Sequence, residues 1–598
     1  MNENIYLFMG TFLSNAEKNI LLILLTFFVV GINPLYAQDF PDQVTNKVDE
    51  VKKDIKDRLE NPFSISGSIG MNLGLYQAFG IESRRDNFSY LFTTNLNASL
   101  LGVGIDIPLD GNFSQLDASF LQPFNQVGIS PKYKWATAHL GYRNMNFSPL
   151  TLSGHTFLGV GLELTPPIKS KLFSFRFSGM YGRLRRPVEA IEAAENNVQP
   201  TYRRMGYGFK AGIISKKQAT NYIDLILFRG YDEINSIQQP FGNNAIKPED
   251  NLVLGATGQY QLFKALTLKA DWAVSAFTRD RRSEGTRESL PVFSDVEGLF
   301  VPNISTQIRQ SVKSSLSYKF SNYRIGVKYN RIAPDYRTLG AYYFQDDLED
   351  YTFNGSAMLK EGKTVINGSI GFQRNNLNED LDNRSKRVIG SLSLNQVFSP
   401  EFNMYASYSN FSSSLLAVKE ELSDSLDFYQ VSTGYTLGAN YNLGTKERRQ
   451  SLSGNISYQT ANSRDEYSIS DITTEFLTGG MFYNLFVTKK NIGFNATISY
   501  TQSKSQDMEA TIIGPGIGLV KKFPKKGISA KYYASYRTNF QDGSSTFSVL
   551  QNRFGLDYKI SKHHNVGVKL SHLYKIDGIN DENTYSEIQG MTSYLFTF

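Results

Sequence analysis

Along most of this chain, apolar and polar residues take turns one by one. From residue 528 to 540, Ile528, Ala530, Tyr532, Ala534, Tyr536 and Phe540 share one face, and Ser529, Lys531, Tyr533, Ser535, Arg537 and Asn539 the other. Residues 266–275 repeat the pattern, with Leu266, Leu268, Ala270, Trp272 and Val274 against Thr267, Lys269, Asp271 and Ser275. A period of two marks β-strands, whose successive side chains point to opposite faces. The runs are roughly ten residues long, the length a tilted strand needs to cross a bilayer. Strands of a soluble sandwich are shorter. About 24 such segments (roughly 22 to 26) follow from Phe63 onward. The pattern predicts an all-β protein, a transmembrane antiparallel β-barrel over 63–598, apolar outside and polar inside.

The connections between segments fall into two sets. With the N-terminus periplasmic, loops after odd strands are extracellular, and they include the long 187–200, 233–250, 280–303 and 414–426. Those after even strands, such as 264–265, 321–322 and 489–490, are short. Long outside and short inside is the asymmetry of bacterial barrels. Segment 109–126 breaks it. Either it folds inward, or it hides a further strand at 112–120 behind the turn signal Asp110-Gly111.

The first 62 residues follow other rules. Residues 1–37 read as a signal peptide: Lys18 precedes the apolar run 20–30, and Ala37 ends a cleavage site. In 38–62, Val44, Val48, Val51, Ile55 and Leu59 recur at helical spacing, with charged residues between them. A lone helix this short is marginal in water. Its stripe is expected in the lumen, at the periplasmic rim or on a partner, unless the segment is a solvated tether. Only about 25 residues separate the signal from the first strand, too few for a separate globular plug of the kind that larger barrels carry.

At the other end, Tyr594, Phe596 and Phe598 lie on one strand face. This aromatic terminus resembles the insertion signal of Gram-negative outer-membrane β-barrels. The chain as a whole resembles their large members, in a Tyr-, Asn- and Lys-rich style similar to that of Bacteroidota. The resemblance implies the outer membrane, with lipid, lipopolysaccharide and the barrel-assembly machinery as partners. It implies nothing about substrate.

Composition agrees. The 598 residues include 42 Phe, 35 Tyr and 48 Gly, which suits aromatic girdles and crowded strands. Cys is absent, so stability must come from closure and packing rather than disulfides. A net charge of +6 with no long basic run does not indicate nucleic acid as a partner.

Candidate chemistry is thin. The five His form no HExxH arrangement, and no GxSxG elbow occurs. Neither an enzyme nor a resident metal or cofactor is expected. Ser153-Gly154-His155 lacks a nucleophile's setting, and Gly514-Pro515-Gly516-Ile517-Gly518 reads as relief of strand crowding. The acidic turn 345–350 invites a divalent cation only weakly. Arg183, Arg185, Arg186, Arg203 and Arg204 flank a predicted extracellular loop, where arginines would meet lipopolysaccharide phosphates.

The best functional lead is the polar strand face, which carries Arg176, Asp224, Lys269, Asp271, Lys328, Lys531, Arg537 and Lys569. Basic groups predominate there, so a water-filled lumen would favour anions. The resulting expectation is a pore or transporter for solutes. The alternative is a scaffold barrel that docks a periplasmic or outer-membrane protein in a secretion or envelope-assembly complex.

Overall fold

The computed structural model describes residues 63–100, 105–114, 125–189, 200–238, 246–285, 299–342, 346–378, 386–416, 427–464, 472–506, 508–579 and 583–598. The signal segment and the helical stripe Val44–Leu59 lie outside them. All described residues belong to one unit, Phe63–Phe598.

They form a single antiparallel sheet in which strands that follow one another in sequence pair with one another. The first, Phe63–Phe79, also pairs with the last, Tyr585–Thr597. The sheet is therefore a closed barrel, and closure removes the unpaired edges that would otherwise invite aggregation. Gln126–Ile129 and Lys132–Tyr133 are two pieces of one strand, since both pair with Ile105–Ser114 and with Ala136–Asn144. The 27 segments of the sheet are thus 26 strands, an even number.

The expected count of about 24 is two short for identifiable reasons. Residues 89–108 divide between Phe88–Leu100 and the start of Ile105–Ser114. Residues 127–147 divide at the tight turn Lys134-Trp135, where Lys134 adopts φ 44°. The hidden strand therefore lies at 105–114, not 112–120. Asp110-Gly111 is no turn: Asp110 pairs with Asn95 on one side and Gly128 on the other. With both strands added, the connection 115–125 follows an odd strand, and the apparent exception disappears.

Cross-strand register separates the two faces. Leu392, Tyr408, Tyr435 and Tyr458 occupy one row across four strands, and the apolar residues of such rows are largely exposed. Aromatic side chains on this face gather at two levels. Near the short turns Phe320 meets Tyr323 at 5.3 Å and Phe398 meets Phe402 at 5.3 Å; toward the long loops Tyr329 meets Tyr351 at 4.9 Å. The opposite face carries most of the ion pairs and hydroxyls; Arg229–Asp250 and Glu349–Arg374, toward the long loops, are on the outer one by register.

The opposite face is the concave one. A single buried cluster joins Phe157, Met180, Leu184, Phe228, Val253, Ala273 and Ile332, which sit on six strands, to Met145, Phe147, Leu150, Leu152 and Tyr336 from two loops. One compact block touches that many strands only where the wall curves around it.

The seam of the barrel uses the aromatic terminus. Phe598 and Gly67 exchange backbone hydrogen bonds at 3.0 and 3.1 Å. Tyr594 and Phe596 take the outer face, where His564 stacks on both and its Nδ1 lies 2.7 Å from the Tyr594 hydroxyl.

Candidate functional site: the inner wall and its in-folded loops

All eight charged residues expected on the polar face are on the inner wall by register. Their pairing changes what they can do. Arg176 donates two hydrogen bonds to Asp224, Nε–Oδ1 at 2.6 Å and Nη2–Oδ2 at 2.5 Å. They sit two strands apart, with Gly212 between them in the same row. A Cβ at Gly212 would overlap Asp224 Oδ1. The missing side chain is what lets the guanidinium reach across, and Arg–carboxylate forks are the strong ion pairs. Arg176 also covers the ring of Tyr222 at 4.2 Å.

The same row continues from Asp224 through Thr257, Asp271, Lys313, Asn330 and Asp350. Thr257 donates to Asp271 at 2.5 Å, Lys269 lies 3.8 Å from Asp271, and Asn330 donates to Asp350 at 3.0 Å. On the far side of the barrel Lys531 pairs with Asp557 at 2.8 Å. Of the six basic candidates, Arg176, Lys269 and Lys531 are thus matched by carboxylates. Among the described residues Lys328, Arg537 and Lys569 make no ion pair. The expected anion preference rests on these three.

Two loops turn inward over this wall. Segment 145–155 precedes the strand Thr156–Leu164, and segment 333–342 follows Tyr323–Ile332. They are joined to each other by polar contacts. Tyr336 donates to the Leu150 carbonyl at 2.7 Å, Thr338 to that of Thr151 at 2.7 Å, and the Ser153 N–H to that of Gly340 at 2.9 Å. Asn251 and Ser275, both buried on the wall, hold the carbonyl of Arg337 at 3.4 and 2.6 Å. Leu150, Leu152 and Tyr336 are fully buried, and burial pushes the Tyr336 phenol up. The spacing of the sequence showed neither loop as inward, because their few apolar residues follow no period.

His155 belongs to this block. Its ring stacks on Tyr342 at 4.0 Å, and its Nδ1 is 2.9 Å from the Thr156 carbonyl. Burial pushes its imidazole down to about 4, with Arg204 and Arg185 adding repulsion. A neutral, stacked ring of this kind positions a loop.

The arginines flanking 187–200 are consumed internally. Arg185 and Arg204 both bond Asp232, which is fully buried, and Arg204 reaches Glu249 as well. Arg203 pairs with Glu233, and Arg183 donates to Tyr142 at 3.0 Å. In the acidic turn, Asp347 accepts the backbone N–H groups of Asn376 and Leu377, Glu349 pairs with Arg374, and Asp350 faces Asn330. These carboxylates diverge. The glycine cluster lies within Met508–Phe523. There Pro515 interrupts pairing with the neighbouring strand, and a Cβ at Gly514 would strike the Tyr536 carbonyl.

Inner-wall residues on the other side of the barrel, including Asn367, Ser407, Arg553 and Lys569, are exposed. Among the described residues, the in-folded block therefore covers one arc and leaves another uncovered.

No family model matches this chain, and no curated protein matches it. Among solved structures, it is similar to the copper transporter OprC, with 8% identity, TM-score 0.41, 89% of this chain and 80% of that one. It is similar to the siderophore receptor PirA from Acinetobacter baumannii, with 9% identity, TM-score 0.41, 90% and 80%. The translocation pore of the P pilus usher PapC gives 11% identity, TM-score 0.34, 89% and 99%. These likenesses are too distant to assign a family, a substrate or a partner.

Proposed function

We propose that this chain is an outer-membrane pore that passes solutes through the open arc of its lumen. The observation that carries the reading is the division of faces in a closed barrel. An exterior with exposed Phe, Leu, Ile and Tyr and two aromatic levels suits lipid, and an inner wall of hydroxyls, amides and ion pairs suits water. In this reading the signal peptide directs export, the barrel-assembly machinery inserts the chain, and the outer face meets lipid and lipopolysaccharide. The termini and short turns are periplasmic and the long loops extracellular.

Planar-bilayer conductance of the purified protein, with and without residues 38–61, tests this. Steady conductance under a salt gradient is the expected result. Silence with conductance only after the deletion would make that segment a plug. Silence in both would refute the open pore. It would favour the scaffold reading, to which the in-folded loops lend support by narrowing the lumen.

A further inference from the structure

The open arc of the inner wall differs in kind from the arc under the block. Asn367, Ser393, Ser407, Thr436, Ser457 and Thr478 occupy one continuous row across six adjacent strands. From Thr364–Arg374 to Ile492–Ser505, the described inward side chains between the rims are uncharged. The Arg176–Asp350 row, one arc away, is built largely from charges.

Two inward aromatic side chains, Tyr405 and Phe482, lie along this uncharged wall instead of projecting from it. A third, Tyr533, reaches its edge at Thr497 from a strand two beyond it that also carries Lys531 and Arg537. Tyr405 crosses Gly438, the residue directly opposite it, so that a Cβ there would overlap the phenol. Phe482 lies over Gly480 of its own strand, its Cε2 and Cζ both 2.9 Å from where a Cβ would be. Tyr533 crosses Gly516, and its hydroxyl reaches Thr497 Oγ1 at 3.2 Å. In each case a glycine takes away the side chain that would lift the ring off the sheet. Tyr405 and Tyr533 are half-buried and Phe482 is 37% exposed, so part of each ring remains open to the lumen.

Rings laid along a wall of hydroxyls and amides match one kind of solute. The electron-rich face of an aromatic ring attracts the slightly positive C–H groups of a pyranose. Ser, Thr and Asn side chains both donate and accept, as sugar hydroxyls do. An uncharged lining neither attracts nor repels a neutral molecule at long range. We propose that this arc is a recognition track for neutral oligosaccharides, with Tyr405, Phe482 and Tyr533 as stacking platforms and the hydroxyl row as their polar partner. Passage of the sugar through the barrel rests on the pore reading, whereas binding to the wall does not.

The test uses the full-length protein in detergent and in planar bilayers, with maltohexaose, cellohexaose and hexagalacturonate as probes. Saturation-transfer NMR should show a neutral hexaose contacting the protein, and the same sugar should interrupt the ionic current. Replacing Tyr405, Phe482 or Tyr533 by Ala should weaken binding about fivefold per ring. Y405F and Y533F should keep it, and they also guard against loss of folding. Contact without any current would defeat the pore reading and leave the track standing. The track is overturned if neither neutral hexaose binds, if hexagalacturonate binds better, or if the alanine variants bind as the parent does.

Discussion

Gly212→Ala is the sharpest probe of the inner wall. The added methyl would overlap Asp224 Oδ1 and lie 2.6 Å from the Ile223 carbonyl. The carboxylate must swing away from Arg176, or the strands must part. Asp224 is 2% exposed, so a lost partner leaves a buried charge. Breaking such a pair costs roughly 3–5 kcal/mol. The Arg176 side chain, at 24% exposure, retains contact with water and places the effect near the lower end, about 3 kcal/mol. Gly179→Ala on the preceding strand is the control, since a Cβ there meets nothing nearer than 3.8 Å. The assay is the temperature at which the folded barrel loses its fast mobility in unheated detergent gels, together with the urea midpoint in micelles. Gly212→Ala should fall several degrees below both the parent and Gly179→Ala. Equal stability of the two alanine variants would refute the idea that a bare backbone at 212 is what joins Arg176 to Asp224.

Leu152→Ala removes a fully buried side chain from the in-folded block and should cost about 2–5 kcal/mol of docking; single-channel records should then show larger or noisier conductance, and an unchanged trace would mean that the block does not limit the lumen. Acid should loosen the same block. The docked His155 resists protonation down to about 4, whereas a freed one takes its proton near 6.5. Docking stability is therefore complete above pH 6.5 and is lost as pH falls toward 4, by about 2 kcal/mol at pH 5. Conductance should rise between pH 7 and pH 5, and His155→Gln should flatten that rise. Asp346 works in the other direction, because burial pushes its carboxyl up to about 6 and its cost grows as pH rises from 3.8; Asp346→Asn isolates the histidine.

What the sequence makes legible here is whatever repeats. Alternation at period two is imposed on each strand by the same two solvents, so Lys531 and Tyr532 or Asp271 and Trp272 declare their faces without a structure. The strand count slips at Lys134-Trp135, where two strands meet at a turn too tight to leave a run of polar residues that would mark the break. Asp110-Gly111 misleads because the dipeptide suits a turn by local propensity, while its neighbours Asn95 and Gly128 hold it in a ladder. Tertiary pairing overrides propensity there. Pairing across strands is less legible still. That Arg176 is matched by Asp224 depends on the two sharing one row two strands apart with a glycine between them, a relation among positions 176, 212 and 224 that no local window contains. The excess of basic residues read from one strand at a time is thus real in number and smaller in effect, because half of the chosen basic groups meet carboxylates, two of the three on other strands. The in-folded loops are the extreme case. Leu150, Leu152 and Tyr336 bury themselves not against their own neighbours but against a concave wall assembled from strands far along the chain. Such contacts exist only once the barrel closes, and closure is what converts a row of alternating strands into a lumen with one covered arc and one open arc.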